Sequence, residues 1–361
     1  DLRSVRFMRM WLKGFTRQVV FRFGTFDLVR GDWRRYNQPL NTAQITSSNT
    51  TVDVSTVNVL ENENRIPINY KLPPGIVREQ LNNFNSVIRQ NEQSLSLRVQ
   101  DLEPKDLKGV YKNIDVDMRQ YKRIKMFIHA ESLPNRTPLP GDGSLDDLDK
   151  SMVAFMRIGT DMTENYYQIE VPLQPTPYTE GVANNLSAEE VWQPESNSID
   201  APLSLFTGAK AKSIQNRSLV GATYFDEDLN QIDEFTPISS LPGDKKYKIA
   251  VRGNPTLGQV RTLMVGVKNP SESPGDYLHG EVWFNELRLA EIDSEGGWAS
   301  VAELDTNIAD LATINLNGNI STVGFGNIDQ IPNLRNQDDT KGYGMNTNVN
   351  VGQLLPKKWG I

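Results

Sequence analysis

The sequence contains no cysteine and only two histidines, and each shortage excludes a class of chemistry. Without cysteine the chain cannot form a disulfide scaffold, a thiolate zinc site or a cysteine nucleophile. His129 lies inside a predicted strand and His279 in a predicted turn, and neither has a second ligand at metal-binding spacing. No apolar run is long enough for a transmembrane helix. We therefore expect a protein that is not an enzyme and that binds no cofactor or metal.

Two acidic features keep other chemistry open. The stretch GDGSLDDLD (141–149) offers oxygen ligands for calcium. Its spacing fits neither an EF-hand nor a nonapeptide repeat, which favours a solvated loop. Glu281, Glu286 and Glu291 are carboxylates in and beside one predicted strand. A glycosidase needs two carboxyl groups that face each other, and the sequence pattern does not establish that geometry.

The charge balance limits the partners. A formal net charge of -7 predicts solubility and gives no nucleic-acid footprint. Residues 1–36 are the exception, with nine Arg or Lys against three Asp, and on strands such charges usually solvate an outer face. An internal repeat whose first copy is cut off, described below, predicts that the chain is a piece of a longer protein, so the absence of an initiator Met and of a signal peptide carries no information.

The stretch from Val260 to Trp298 organises the fold prediction. It reads VRTLMVGVKNP, a turn-rich linker and GEVWFNELRLAEIDSEGGW, and each flank begins with alternating apolar and polar residues. The linker has two prolines and two glycines, so we predict a hairpin whose apolar face packs on another sheet. The first strand is predicted to place on one face Leu263, Val265 and Val267, and the second Trp283, Leu287 and Leu289.

The same order of features occurs at the start of the chain. VRFMRMWLKGF (5–15) and VVFRFGTFDLVRGDW (19–33) repeat the Val-Arg start, the strand ending at Lys, the central Phe and the acidic turn closed by Trp. We interpret this as a degenerate repeat of roughly 260 residues, too long for a solenoid. Residues 1–36 would then be the C-terminal strands of a first β-sandwich. A basic amphipathic helix is the alternative for this segment.

The middle of the chain is predicted to be all-β. Residues 37–92 are predicted to be a linker strand at TTVDVSTVNV (50–59) and a short amphipathic helix over 76–90. From 93 to 298, short strands separated by Pro, Gly, Asn and Asp clusters predict a second, jelly-roll-like β-sandwich. Ser187–Glu190 is a capping box for a short helix before Trp192. The strands predicted before the hairpin are 94–102, 121–131, 152–161, 165–173 and 246–253.

Residues 299–361 are predicted to be transmembrane β-barrel strands with a connecting loop. DLATINLNGNI (310–320) and YGMNTNVNV (343–351) alternate apolar with small polar residues over about ten positions, as outer-membrane barrels require. Tyr343 and Trp359 flank the region as interfacial aromatic residues would. The alternative is an ordinary hairpin at the edge of a soluble sheet. The predicted pore-facing residues are Asn315, Asn317, Asn319, Asn346, Asn348 and Asn350, and the predicted lipid-facing residues are Ile314, Leu316, Ile320, Val349 and Val351.

Several blocks resemble a known family. They are RFMRMWLKGF, VVFRFGTFDLVRGDWRRY, NEQSLSLRVQDL, DVDMRQYKRIKMFIHAE, MRIGTDMTENYYQIEVPL, VRGNPTLGQVRTLMVGVKN, GEVWFNELRLAEIDSEGGWA and LLPKKWGI. These blocks resemble the SprA/Sov family, the giant outer-membrane translocon of the type 9 secretion system. The resemblance spans almost the whole chain, although family members are several times longer than 361 residues.

The resemblance implies a non-catalytic part of an outer-membrane pore that exports folded cargo, with domains exposed to the periplasm or the cell surface. The implied partners are a shuttle barrel protein of the PorV type, a periplasmic plug protein, cargo bearing a C-terminal sorting domain, and outer-membrane lipid. In gliding relatives the same machine exports surface adhesins. The alternative function is a secreted or cell-surface jelly-roll module that recognises a glycan or a protein. Tyr166, Tyr167 and Trp192 would form its aromatic platform, unless they serve core packing.

Overall fold

Period-two alternation of apolar residues produces antiparallel strands as the main secondary structure of the described residues. The structure is a computed structural model, and it describes residues 16–17, 20, 33–40, 49–78, 80–83, 86–133, 152–179, 183–216, 221–292, 296–330 and 334–354. The chain divides into two units, Asp1–Asp32 and Trp33–Ile361. The repeat predicted at 5–33 and the acidic stretch 141–149 lie outside the described residues, apart from 16–17, 20 and 33.

The described elements follow in chain order. The strands are β1 (Arg34–Arg35), β2 (Thr51–Asn58), β3 (Gln80–Asn83), β4 (Ser86–Arg89), β5 (Gln93–Leu102), β6 (Leu107–Val116), β7 (Tyr121–Glu131), β8 (Val153–Gly159), β9 (Tyr166–Pro172), β10 (Ser198–Pro202), β11 (Thr223–Phe225), β12 (Gln231–Ile232), β13 (Lys248–Arg252), β14 (Val260–Lys268), β15 (Leu278–Ile292), β16 (Ala299–Ile308), β17 (Ala312–Ser321) and β18 (Thr340–Val349). The helices are α1 (Val59–Asn62), α2 (Ala188–Trp192) and α3 (Ser204–Gln215), with 3-10 turns at Ile238–Ser240 and Val351–Leu354.

Two large sheets face each other. One has eight strands in the order β1-β6-β14-β8-β9-β13-β11-β12, and the other has five in the order β10-β7-β15-β5-β2. A three-stranded sheet, β16-β17-β18, and a two-stranded sheet, β3-β4, complete the described part of the chain. All pairs between these strands are antiparallel. The predicted all-β class is therefore confirmed.

The main core lies between the two large sheets. In β8, Ala154, Met156 and Ile158 point into this core, while the intervening Phe155 joins a second apolar cluster. Arg157 alternates with the core residues and is also buried. Each large sheet is therefore covered on its outer face as well as its inner one, which explains why β8 is buried along its whole length.

The predicted hairpin of 260–298 is wrong, although both of its strands exist. β14 pairs with β6 and β8 in the eight-stranded sheet, whereas β15 pairs with β5 and β7 in the five-stranded sheet. The connection crosses the sandwich edge, where Asn269 donates to the carbonyls of Leu102 (2.9 Å) and Asp276 (2.6 Å). Which sheet a strand joins depends on distant partners, and local turn chemistry does not specify it.

A β-bulge also corrects the predicted packing of Trp283, Leu287 and Leu289 on one face. The β15–β7 register shifts between Asn285 and Arg288, so one extra residue of β15 is inserted there and later side chains change face. Trp283 packs in an outer-face cluster, whereas Leu289 packs against the core between the sheets. Leu287 lies near the bulge and lines a cavity of about 230 Å³ at the open end of the sandwich.

Two predictions for 37–92 also need correction. The strand predicted as part of a linker, β2, pairs with β5 along its whole length and is an edge strand of the five-stranded sheet. The amphipathic helix predicted over 76–90 is wrong, because β3 and β4 form an antiparallel pair there. The segment contains several Asn and β-branched residues, which are poor helix formers, and this outweighs the helical spacing of its apolar residues.

The remaining strand predictions from 93 to 298 match observed strands within a few residues. The capping box is also present, because the Ser187 hydroxyl accepts from Glu190 N and the Glu190 carboxylate accepts from Ser187 N. The sequence patterns missed β6 and α3. α3 reads SLFTGAKAKSIQ, in which Gly208 and several hydroxyl residues weaken the helical signal.

Candidate functional site

The three-stranded sheet is the most unusual surface in the described part of the chain. β16, β17 and β18 each have ten residues and pair without a register shift. Paired residues of neighbouring strands share a face, so the register fixes which side chains lie together. Leu304, Leu316 and Met345 form one row across the sheet, and Asp305, Asn315 and Asn346 form the next row on the opposite face.

The two faces differ completely in chemistry. The apolar face carries Ala302, Leu304, Ile308, Ala312, Ile314, Leu316, Ile320, Tyr343, Met345 and Val349, together with Ser300, Thr306, Gly318, Lys341 and Thr347. The amide face carries Glu303, Asp305, Asn307, Thr313, Asn315, Asn317, Asn319, Asn346 and Asn348, with Val301, Gly342 and Gly344. Both faces are largely exposed, and the exposed fractions of Leu304 and Met345 are 56% and 69%.

The register places nine of the eleven predicted facing residues as the sequence indicated. Asn315, Asn317, Asn319, Asn346 and Asn348 share the amide face. Ile314, Leu316, Ile320 and Val349 share the apolar face. That one face meets a pore and the other lipid remains a prediction.

Asn350 and Val351 lie beyond the strand into which they were placed. β18 ends at Val349, and the chain then enters the 3-10 turn Val351–Leu354. Asn350 N donates to Leu311 O at 2.8 Å, and the Asn350 side chain donates to Asp310 O at 2.9 Å. Asn350 therefore contacts the turn before β17 and marks the end of β18. The sequence alternates for two residues beyond this end, which is why Asn350 and Val351 were predicted to lie in the strand.

The amide face is low in relief because glycine lies opposite asparagine. Gly342 pairs with Asn319 and Gly344 with Asn317. A Cβ atom at either glycine would meet the amide oxygen of its partner, so the two Asn side chains lie over the glycine backbone. Asn315 donates to Asp305 on the neighbouring strand. The amides are thus held along the sheet surface.

The sequence patterns missed the third strand of this sheet. β16 reads ASVAELDTNI, in which Ala302, Leu304 and Ile308 alternate with Glu303 and Asp305. The strand alternates, but the pattern used for prediction required uncharged polar residues, whereas the polar positions of β16 include the two carboxylates Glu303 and Asp305. The register shows that they extend the polar face to a third strand.

A second cluster lies on the outer face of the five-stranded sheet, where the segment after α1 crosses it. Arg65 donates to Glu131 through both terminal nitrogens and to Glu281 Oε2 at 3.0 Å. Its guanidinium lies 5.1 Å from the centre of the Trp283 ring. Glu281 also accepts from the Ser96 hydroxyl (2.8 Å) and from Trp283 Nε1 (2.9 Å). Every charged group in this cluster therefore has a partner.

The electrostatics favour the charged forms of Glu131 and Arg65. Burial alone would raise the pKa of Glu131, but its bonds to His129 and Arg65 outweigh burial and hold that pKa below its ordinary value. Burial alone would lower the pKa of Arg65, but Glu131 and Glu281 outweigh it and raise that pKa. Burial also raises the pKa of Tyr70, whose hydroxyl contacts Glu92 at 2.6 Å. The cluster binds the crossing segment to the sheet.

The other residues singled out from the sequence lie in or near the sandwich. His129 is buried, and its Nδ1 contacts Val191 O at 2.6 Å. His279 lies in β15 rather than in a turn, with its Nδ1 accepting from Asp101 N at 3.0 Å. Glu291 is exposed at the end of β15. Glu286 lies between Glu281 and Glu291 on the same strand.

The aromatic platform considered for a binding module does not exist. Tyr166, Tyr167 and Trp192 are buried, with exposed fractions of 3%, 1% and 0%. Tyr167 packs in the core between the sheets, where burial raises its pKa to about 12. Trp192 packs against Trp283 and donates from its ring nitrogen to Lys71 O at 2.9 Å. Core packing is therefore their role.

The described ranges hold no group of three or more His, Asp or Glu side chains placed to bind a metal ion. Among the helices that the structure describes, none has the length and apolarity to cross a bilayer.

Comparison with known families identifies the chain. The family model SprA_N, described as motility related/secretion protein, matches residues 1–361. No curated protein matches the chain. The resemblance found from the sequence blocks is therefore confirmed at the level of the family. The chain belongs to the SprA_N family of motility related/secretion proteins.

Proposed function

We propose that this chain is part of an outer-membrane, protein-conducting translocon that exports folded cargo in type 9 secretion and gliding motility. The observation that carries the proposal is the three-stranded sheet, whose exposed faces are apolar on one side and amide-rich on the other. A soluble sheet buries its apolar face, and an exposed face of this extent indicates contact with another apolar phase. Membership of a family of motility related/secretion proteins also supports a role in secretion.

The dimensions of the strands support a membrane wall. A transmembrane strand needs about 9–11 residues when tilted by about 45°. Each of the three strands has ten. Strands of such barrels alternate between a lipid-facing apolar side and a wet interior. In the proposal Leu304, Leu316 and Met345 face hydrocarbon and the Asn residues face the pore.

The edges of the sheet support a barrel larger than three strands. Within the described ranges, β16 and β18 each pair on one side only, through β17. A long, flat, unprotected edge is avoided in soluble proteins because it recruits other strands. Hydrocarbon offers no water to satisfy such an edge, so a wall in the membrane has to close on itself. We infer that both edges continue into further strands of a barrel.

The strand order of the sandwich supports a jelly roll. Eight strands occupy its centre, in the orders β10-β7-β15-β5 and β6-β14-β8-β9. Along the chain, β5 to β8 alternate between the two sheets. β14 then lies between β6 and β8 in one sheet, and β15 lies between β7 and β5 in the other. Two interleaved Greek keys give this order. We propose that the jelly roll is a water-exposed domain beside the pore, on the periplasmic or cell-surface side.

The amide face suits a wall that does not bind its cargo. Asn side chains are polar without carrying charge, and those at 317 and 319 lie flat over the neighbouring glycines. A cargo surface therefore meets exchangeable hydrogen bonds and few charges to grip. We propose as partners a shuttle barrel of the PorV type, a periplasmic plug protein, cargo with a C-terminal sorting domain, and outer-membrane lipid. No role for nucleic acid is proposed.

The action proposed is not catalytic. Glu131 and Glu281 are paired across β7 and β15, and both bind the Arg65 guanidinium. The bonds to Arg65 and His129 hold the pKa of Glu131 below its ordinary value, whereas a glycosidase needs one carboxyl group whose pKa is raised. This arrangement favours a structural role for the pair.

A photo-crosslinker on each face of one strand tests the proposal. We would place it at Asn317 or, as the matched control, at its neighbour Leu316 on the opposite face, in the whole protein during secretion. We expect cargo to crosslink from position 317 and lipid or no protein from position 316. Recovery of the protein in a soluble fraction, or equal cargo crosslinking from both positions, would rule the pore out.

A further inference from the structure

The apolar face of the three-stranded sheet changes character along the strand axis. Its far end consists of Ile308, Ala312 and Val349, and its middle of Leu304, Leu316 and Met345. Towards the other end the face carries Tyr343 and then Lys341, both exposed. The order from one end to the other is thus aliphatic, then aromatic, then cationic.

Trp298 lies one position beyond the row of Ser300, Ile320 and Lys341, so a second aromatic ring follows the cationic group. Its carbonyl accepts from Thr322 N at 3.0 Å, and its N donates to Thr322 Oγ1 at 2.9 Å, which continues the β16–β17 pairing past Ala299. By alternation with Ser300 and Ala302, Trp298 falls on the apolar face. Its exposed fraction is 57%. The neighbouring Gly297 lies so close to the backbone of Val323 and Phe325 that a Cβ atom there would collide, which fixes the Trp298 backbone.

Among the described residues, the strand neighbours of Tyr343 offer little cover for its ring. Tyr343 pairs with Gly318, which pairs with Ala302, so the adjacent positions on this face offer almost no side chain. The exposed fraction of Tyr343 is 96%. An indole, a phenol and an ammonium group therefore project from one end of an apolar face.

The geometry points to a lipid-interface anchor: we propose that Trp298, Lys341 and Tyr343 bind the boundary between hydrocarbon and headgroups, with Lys341 reaching the headgroup phosphates. This inference rests on the proposed function. Trp and Tyr favour that boundary because their rings are apolar and their N–H or O–H groups need water. A lysine whose stem lies along apolar surface extends its charge towards water.

The spacing fits one leaflet boundary. From Trp298 to Ile308 there are ten steps of about 3.4 Å, or about 34 Å along the strand. At a tilt of about 40° this becomes roughly 26 Å along the membrane normal, close to the apolar band of about 25 Å in such barrels. On the same scale the row of Lys341 lies roughly 5 Å and the row of Tyr343 roughly 10 Å inside Trp298, so the ammonium and phenol groups reach up towards the boundary. The aliphatic rows beyond them fill the hydrocarbon. Lipid is favoured over a protein partner because two aromatic rings and an ammonium group follow the aliphatic rows at one end of the face, and these are the side chains that gather at a bilayer boundary.

The anchor also assigns a side to the sandwich. The loop that follows β17 begins at Thr322, which pairs with Trp298, and carries Asp338, which binds Arg119 of the sandwich at 2.8 Å. The sandwich contact therefore lies at the anchored end of the sheet. In the proposal the sandwich stands in water directly outside this boundary, and the anchor fixes its height.

These 361 residues contain no cysteine, so a thiol introduced among them is unique within them, and any cysteine elsewhere in the whole protein is first replaced by serine. Single cysteines at Trp298, Ser300, Tyr343, Leu316 and Asn317 would carry a nitroxide label in the whole protein, reconstituted in vesicles of phosphatidylethanolamine and phosphatidylglycerol. The accessibility of each label to oxygen, which concentrates in hydrocarbon, and to a water-soluble nickel chelate gives its depth. Ser300 reports the boundary without removing an aromatic residue.

We expect the label at 316 to be deep in hydrocarbon, the label at 317 to be in water, the labels at 298 and 300 to lie at boundary depth, and the label at 343 to lie between those two and the label at 316. Labels at 298, 300 and 343 that are fully in water overturn the anchor, as do labels shielded from both reagents, which would indicate a protein partner. A label at 316 that is not in hydrocarbon overturns the proposed function instead, so the two failures are distinguishable.

Discussion

The sandwich and the three-stranded sheet share the same period-two alternation, but the sandwich covers both faces of its sheets and the three-stranded sheet leaves most of both faces exposed. In the sandwich, side chains that leave the core are covered a second time, as Trp283 and Glu131 are beneath Arg65. In the three-stranded sheet, the described residues leave most of both faces uncovered, and Leu316 and Asn317 are both exposed. The difference teaches that alternation fixes which residues share a face, while the surroundings decide whether that face is a core or a boundary.

The polar groups of the two regions differ in the same way. Beneath its outer layers the sandwich buries full charges, including Lys268, whose Nζ lies 2.9 Å from Glu170 Oε1. Buried charges require fixed partners, and those partners hold the covering segments in place. The amide face instead carries mostly neutral groups, which tolerate water or a moving cargo without a fixed partner.

The largest expected effect is the loss of Arg65. The variant Arg65→Ala leaves Glu131 and Glu281 without their guanidinium, and removing one partner of a buried pair costs about 3–5 kcal/mol. We expect a loss of that size in the free energy of unfolding of the sandwich, measured by denaturant titration with a spectroscopic signal that reports the folded sandwich. A change below about 1 kcal/mol would show that the carboxylates reach water without Arg65.

Arg252 provides the matched control for Arg65. It binds Glu164 at 2.9 Å, but the Glu164 side chain is 64% exposed. An exposed pair contributes about 0–1 kcal/mol, so Arg252→Ala should leave stability nearly unchanged. The triple variant R65M/E131Q/E281Q should recover part of the Arg65→Ala loss, because it leaves no unpaired charge.

A lysine on each face of β17 gives the next largest effect. Lys at a lipid-facing position near the bilayer midplane costs about 2–4 kcal/mol, whereas a pore-facing position tolerates it. We expect Leu316→Lys to lower the amount of protease-resistant protein in the outer-membrane fraction and Asn317→Lys to leave that amount unchanged. Equal losses in both variants would mean that the two faces meet similar surroundings.

The acid limit of stability is expected to differ between the two regions. The pKa of Glu131 is lower in the folded protein than its ordinary value of 4.5, so the unfolded chain takes up the proton first as the pH falls. Its contribution is therefore complete above pH 4.5 and is lost as the pH falls through the folded-state pKa. The unfolding free energy of the sandwich should decrease over this acid window.

The variant Glu131→Gln isolates this effect. It should be less stable than the native protein at pH 7 and should show a shallower loss of stability below pH 4.5. A pH profile parallel to that of the native protein would assign the acid loss to other carboxylates. A label beside Asn319 should report no comparable change, since Asn319 and its strand partners Val301 and Gly342 do not titrate.

The sequence predicted the faces of β17 and β18 because alternation is local. Asn315 and Leu316 take opposite faces whatever the strands pair with. The hairpin prediction failed because the sheets that β14 and β15 join depend on β6 and β7, which the local pattern does not specify. The prediction that Leu289 shares a face with Trp283 failed for a related reason, because the bulge in β15 arises only from its pairing with β7.

The Arg65 cluster was not accessible to sequence reasoning at all. Arg65 stands in a segment rich in Asn and Pro, and its partners Glu131 and Glu281 lie 66 and 216 residues away. A single Arg in such a segment reads as solvated. The strand β16 was more accessible, because its alternation is visible once charged residues are accepted on the polar face.

The smallest expected effect concerns the contact between the two regions. Arg119 is held by Asp117 in the sandwich and by Asp338 in the loop before β18, each at 2.8 Å. Both Arg119 and Asp338 are substantially exposed, and exposed pairs contribute about 0.2–1 kcal/mol. A double-mutant cycle of Arg119→Ala and Asp338→Ala should therefore give a coupling energy in that range, and 0.5 M salt should reduce it by screening.

Asp117→Ala is the control, since it removes a contact within the sandwich alone. A coupling energy well above 1 kcal/mol would mean that the pair is shielded from water in the assembled protein, so that the sandwich and the sheet move as one body.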